Sequence, residues 1–227
     1  MDARMKENYR VVKVLSERNG KVLLLRHRTL DKALICRTYE KPILAYEILK
    51  HLRHPNLPEI YDCIFDGYQT VLEEYIDAIS VAEILATGKY TARGAKRVLR
   101  QVCAAVAELH SCGIIHRDIK PENVLIDAKG NVKLIDLNAS SLLAPERKQT
   151  TNLLGTIGYA AYEQLGIGDC DERTDIFALG VLLNVMLTGE HPSCVLAKGR
   201  MGKIVLKCTQ IDPDSRYQSV EKLLIAL

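Results

Sequence analysis

GIIHRDIKPENVLID, residues 113–127, places Arg117, Asp118, Lys120, Glu122 and Asn123 within seven positions, between apolar runs on both sides. Charge so close to a core is costly unless it is paired or holds something charged itself. Upstream, in TARGAKRVLRQVCAAVAELHSCG, Val98, Val102, Ala105, Val106 and Leu109 recur at helical spacing, and Gly113 is a fitting C-terminal stop. Downstream, NVLID and VKLID flank Ala128-Lys129-Gly130-Asn131 and predict a small hairpin. The charged stretch is therefore a loop between a long helix and a hairpin.

The first third of the chain predicts strands. YRVVKVL (9–15) and KVLLLRHR (21–28) are β-rich and meet at Asn19-Gly20, a strong hairpin signal, and ALICRTY (33–39) follows. Pro42 can open a helix whose apolar stripe is Ile43, Leu44, Ile48, Leu49 and Leu52. Two more strands are expected around Asp66-Gly67. From about residue 80 the pattern is helical, and residues 173–188 and 203–227 are expected to be mostly helix. The expectation is α+β, one domain over 1–227, with a five-stranded antiparallel lobe to about residue 76 and a mainly helical lobe after it.

Composition narrows the function. A net charge of +3 with interspersed signs argues against a dedicated nucleic-acid surface. The apolar runs are too short to span a bilayer, and the first residues lack the apolar core of a signal peptide. The seven cysteines form no CxxC pair and fall mostly in apolar segments, which predicts reduced core thiols in a cytoplasmic protein without nucleic-acid or membrane partners. His27, His51, His54, His110 and His191 show no metal-site spacing and are expected to be surface or packing residues.

His116-Arg117-Asp118-Ile119-Lys120-Pro121-Glu122-Asn123 resembles the catalytic loop of protein kinases, H-R-D-x-K-x-x-N. Further matches arrive in family order, from Tyr9 to about Leu224. The resemblance implies a bilobal protein-kinase-like fold using ATP and Mg²⁺ or Mn²⁺. It assigns Asp118 to the attacking hydroxyl, Lys120 to the moving phosphoryl group, and Asn123 and Asp136 to the metal. GTIGYAAYEQ (155–164) resembles the end of an activation segment, in which Thr156 would contact Asp118 and Lys120. Glu163 would pair with Arg216, and Asp175 would brace the loop that carries His116. Lys120 and the Gly-Thr segment look like a Ser/Thr kinase. Arg117 before Asp118 implies regulation by a phosphate, with Thr150 and Thr151 as candidate acceptors.

The strand-rich lobe departs from the pattern. The positions that the resemblance assigns to nucleotide are Gly20, Val22, Ile35, Arg37, Glu73, Glu74, Ile76 and Leu125. Only Gly20 survives of the glycine-rich loop, and Glu17 adds negative charge there. Arg37 stands where the family has a lysine, Ile35 would crowd the adenine roof, and the partner glutamate's position on the first helix is Ala45. Glu73 is expected to pair with Arg37 across the sheet, with Glu47 and Glu40 as rivals. D-F-G is Asp136-Leu137-Asn138, and A-P-E is Ala161-Tyr162-Glu163. The expected activity is a weak Ser/Thr protein kinase with an unknown protein substrate and scope for a regulatory partner. The alternatives are a pseudokinase scaffold and, third, a small-molecule phosphotransferase.

Overall fold

The computed structural model describes residues 7–17, 20–143, 156, 158–166 and 169–227. It divides into two compact units, residues 1–54 with 58–77 and residues 55–57 with 78–227.

The first unit is a five-stranded antiparallel sheet in the order β1-β2-β3-β5-β4: β1 Tyr9–Ser16, β2 Lys21–His27, β3 Ala33–Tyr39, β4 Ile60–Asp66 and β5 Tyr68–Glu74. Side chains alternate between faces, so Cys36 joins Leu23, Leu25, Tyr9 and Leu72 in one apolar cluster, while Ile35, Arg37 and Tyr39 point the other way. Helix α1, Leu44–Leu49, is short and fastened to the sheet by polar contacts. The Gln69 amide accepts from Ile43 N–H at 2.8 Å and donates to Ile43 C=O at 3.1 Å. The Tyr39 and Tyr46 hydroxyls are 3.0 Å apart over stacked rings, and Lys50 reaches Asp62 at 2.7 Å. The stripe expected to bury this helix is corrected. Ala45, Tyr46 and Leu49 are buried, whereas Leu44 and Ile48 are exposed, because Gln69 and Tyr39 fix a different rotation.

In the second unit, β6 (Ile79–Ser80) leads into α2, Val81–Thr87, through a reciprocal cap between Ser80 and Glu83. Helix α3, Ala92–Ser111, follows from its Thr91 cap and buries Val98, Leu99, Val102, Ala105, Val106 and Leu109. Then come β7 (Ile114–Ile115), β8 (Val124–Ile126), β9 (Val132–Leu134) and β10 (Ser141–Leu142). Helix α4, Glu172–Thr188, is apolar nearly all round and correspondingly buried, packed by α3 and by α5, Gly199–Cys208. At Gly180 a Cβ would strike the Cys208 side chain, so this glycine permits the close α4–α5 approach. Helix α6, Val220–Ala226, closes the described chain.

The expectation of mostly helix over 203–227 is corrected between α5 and α6, where one 3-10 turn, Pro213–Ser215, is all that forms. The side chain of Arg216 takes the Gln210 and Ile211 carbonyls that a continuous helix would have used itself. All seven cysteines are free, four of them buried, and burial raises the Cys36 thiol to about 11 and Cys63 to about 12, so neither is a ready nucleophile. No helix among the described residues is long and apolar enough to cross a membrane.

Candidate active site

The Asp118, Lys120 and Asn123 side chains of the charged loop have partners within the second unit. The Asp118 carboxylate accepts from Thr156 Oγ1 on Oδ1 at 2.7 Å, and from Lys120 Nζ on Oδ2 at 2.7 Å. Lys120 also donates to Thr156 Oγ1 at 2.7 Å, so aspartate, lysine and threonine form a closed triangle. Asn123 Nδ2 donates to the Asp118 carbonyl at 2.8 Å and to its carboxylate at 3.0 Å. It is the amide nitrogen of Asn123, not its Oδ1 atom, that is bonded to Asp118.

Asp136 belongs to the same neighbourhood through the backbone. β8 and β9 pair at Val124↔Leu134, and one step on, Ile135 N–H donates to Asn123 C=O at 2.9 Å. Asp136 itself has φ 69, a left-handed conformation that costs a non-glycine residue energy and is held by its surroundings. Asn138 N–H approaches Asp136 Oδ1 at 3.4 Å, and Leu137 is buried in an apolar slot. The donors offered are an amide oxygen and a carboxylate, hard oxygens of the type Mg²⁺ or Mn²⁺ takes alongside phosphate oxygens. The residues therefore fit the ion.

A second layer holds the loop. Asp175, fully buried on α4, accepts from His116 N–H at 2.9 Å and Arg117 N–H at 2.8 Å, and lies 2.8 Å from His110 Nε2. Arg117 has φ 67, and these bonds keep it there. Burial works against the charged form of Asp175, but the hydrogen bond and charge of His110, with the Arg117 N–H, carry its carboxyl below the ordinary 3.8. Burial likewise opposes the His110 cation, and Asp175 more than offsets it, so the imidazole sits above the ordinary 6.5. His116 Nε2–H donates to Ile135 C=O at 3.2 Å, and Nδ1 accepts from Asp118 N–H at 3.3 Å.

Glu163 and Arg216 form the expected pair, bidentate at 2.7 and 3.0 Å and buried. The remaining donors of Arg216 go to the carbonyls of Arg173, Gln210 and Ile211, and Thr174 donates to Glu163, so both charges are compensated. Two contributors were not visible in the sequence. His110 is a partner of Asp175 rather than a packing residue. Gln164 is buried and donates to the Arg117 carbonyl at 2.8 Å. Neither lies in a motif; each is marked only by tertiary neighbours 65 and 47 positions away.

In the first unit, Arg37 and Glu73 form a buried pair, Nε to Oε1 at 2.6 Å. Ile35 opposes Glu73 and Arg37 opposes Val71, so the two are diagonal neighbours on one sheet face. The rivals Glu40 and Glu47 are exposed. Gly20, at φ 114, lies where a Cβ would strike the Thr38 carbonyl oxygen; close packing on β3 by itself demands the glycine. Glu17 pairs with Lys21 at 3.2 Å on the surface, which reduces the negative charge that it presents. Val22 and Ile76 are half-buried, and Ile35 is buried. Glu74 Oε2 accepts from Glu59 N–H at 3.1 Å. Leu125, on β8 of the second unit, is half-buried. Thr150 and Thr151 lie outside the described residues.

A family model for the protein kinase domain matches residues 10–223. The chain belongs to the protein kinase family. It is 32% identical over 198 residues to the serine/threonine-protein kinase PrkC of Bacillus subtilis, covering 76% of this chain and 31% of that protein. It is also 32% identical over 221 residues to an Aurora kinase of Candida glabrata, covering 92% of this chain and 62% of the relative. With the serine/threonine-protein kinase PknB of Mycobacterium tuberculosis it shares 33% identity over 150 residues, 62% of this chain and 24% of the relative. The kinase chain thus spans from about a quarter to under two thirds of these relatives' lengths.

Proposed function

We propose that this kinase-family chain is an ATP- and Mg²⁺-dependent Ser/Thr protein kinase of low turnover. The observation that carries the reading is the closed triangle of Asp118, Lys120 and Thr156 with Asn123 bonded into it. Phosphoryl transfer asks little covalent chemistry of the protein, so charges held in position are most of the catalysis. Asp118 orients the attacking hydroxyl and takes its proton. Lys120, already fixed by two oxygens, presents its charge to the transferring group. Asn123 and Asp136 hold the metal, which when bound offsets charge on the phosphates. Thr156 keeps the Asp118 carboxylate in its rotamer and is the point where a seated activation segment meets the loop.

The first-unit positions Gly20, Val22, Ile35, Arg37, Glu73, Glu74 and Ile76 serve the nucleotide in this reading. Arg37 supplies a fixed cation in place of lysine, oriented by Glu73 instead of a helix glutamate. Its planar, engaged guanidinium is a poorer phosphate ligand than a free ammonium, which is the reason for low turnover. Arg117 is the regulatory contact: it is buried, and its Nε has no hydrogen-bond partner among the described residues, so a phosphate on Thr150 or Thr151 would find a donor waiting. The substrate is a protein in the cytoplasm, recognised without nucleic acid or membrane, and a regulatory partner acts on the altered first unit. The same alteration supports a second reading, a pseudokinase that binds a partner with little transfer.

Autophosphorylation with labelled ATP and Mg²⁺ decides between them. Wild type should incorporate label, and Asp118→Ala and Asp136→Ala should lose it by about a hundredfold to ten-thousandfold. Label persisting in both variants would assign the transfer to a contaminant. No incorporation and no nucleotide-induced thermal shift would establish the scaffold reading.

A further inference from the structure

Between residues 84 and 107 the chain carries Lys89, Arg93, Lys96, Arg97 and Arg100 and no aspartate or glutamate. That local charge of +5 exceeds the +3 of the whole chain. Four of the five lie on α3 at 93, 96, 97 and 100, spacings of three and four that set them on one face, opposite buried Ala95, Val98, Leu99 and Val102. Arg93, Arg97 and Arg100 are exposed.

Local electrostatics disfavours this arrangement. Arg93 is in the first turn, at the positive end of the helix dipole, where no acid is present. Arg93 with Arg97 and Lys96 with Arg100 are like-charge neighbours four apart, which repel. None of the four forms an ion pair among the described residues. The face is nevertheless held in shape by the β8–β9 turn. Arg97 Nη2 and Gln101 Nε2 donate to the Gly130 carbonyl at 3.4 and 3.1 Å, and Gln101 Oε1 accepts from Val132 N–H at 3.0 Å. The turn adds exposed Lys129, whereas its one carboxylate, Asp127, faces inward to the Lys129 and Asn131 amides.

We propose that this α3 face, Arg93, Lys96, Arg97 and Arg100 with Lys129, is a docking site for an acidic polypeptide segment of a protein substrate or partner. The cations from 93 to 100 span about 10 Å along the axis, the length of about three extended residues, so the occupant carries acids at closely spaced positions. A lipid surface fits less well. Among the described residues, no large apolar or aromatic side chain of α3 or of the β8–β9 turn is exposed, so the face itself has nothing to insert into a bilayer or to stack bases. Docking does not depend on phosphoryl transfer, so the site stands or falls separately from the kinase reading.

The test is fluorescence anisotropy of a labelled oligoglutamate peptide titrated with the full chain. Binding should weaken steeply between about 0.01 M and about 1 M salt, over which the screening length falls about tenfold. Arg93→Ala/Arg97→Ala/Arg100→Ala should lose about tenfold or more in affinity. The matching triple change to Lys should retain binding, and Lys41→Ala/Lys198→Ala/Lys203→Ala, elsewhere on the surface, should leave it unchanged. Autophosphorylation should be equal in all variants, with melting temperatures confirming that each is folded. Equal losses in both alanine triples would reduce the effect to net charge and overturn the proposal. So would capture by phosphatidylserine vesicles without peptide binding, or no binding of either.

Discussion

The two units of this kinase domain solve the same electrostatic problem in different ways. In the second, buried charges are compensated redundantly and by residues in the expected family places: Asp175 has three partners, and Glu163 and Arg216 share one fully bonded pocket. In the first, the expected lysine and helix glutamate are gone, and compensation has moved into the sheet as the diagonal Arg37–Glu73 pair. The difference teaches that a charge pair can be rebuilt from a different element when register puts two side chains on one face. Here the helix is left out of it. Gln69, Tyr39 and Asp62 hold α1 on the sheet by contacts unrelated to Arg37.

Breaking one partner of each pair tests the comparison most severely. Arg216→Ala leaves Glu163 charged and buried, and should destabilise the protein by about 3–5 kcal/mol in urea unfolding. Glu73→Ala, which takes away the carboxylate 2.6 Å from Arg37 Nε, should also destabilise, by about 1 kcal/mol or more. A loss well under 1 kcal/mol at Glu73 would show that this pair does not organise the first unit.

Removing both partners separates stability from function. Arg37→Met with Glu73→Leu should cost less than Glu73→Ala alone, because the two charges leave together. The same double variant should lose the thermal shift given by ATP, since it removes the cation assigned to the phosphates. A retained shift would take Arg37 out of the nucleotide site.

The smallest expected effect is a pH dependence confined to the second unit. His110 lies above its ordinary 6.5 in the folded chain, so its contribution is complete below about 6.5 and is lost as pH rises through the raised value. Asp175 lies below 3.8, so its contribution is present above that value and disappears as pH falls through the lowered one. The brace is strongest between these limits. His110→Asn should flatten the decline of the urea midpoint on the alkaline side of the wild-type curve. An equal decline in variant and wild type would remove His110 from the titrating brace.

Much of this architecture was legible beforehand, for physical reasons that differ by element. The β8–β9 hairpin, the β4–β5 turn at Gly67 and α3 with its Gly113 stop follow from local chemistry: turn residues, a terminal glycine and one clear periodicity. Helix α1 departs in rotation from its apolar stripe because periodicity is ambiguous over six residues and polar contacts decide which side faces the sheet. The break between α5 and α6 lies at Pro213, which has no N–H to give a helical carbonyl, and Arg216 takes the two carbonyls left over.

By itself the order of residues determined the protein kinase family and the α+β class, since motif spacing and local propensity are written along the chain. Only tertiary structure decided that Glu73 rather than Glu40 or Glu47 meets Arg37 and that His110 and Gln164 support the loop. Partner choice depends on which side chains the fold brings within about 3 Å, and for groups tens of positions apart no local pattern carries that distance.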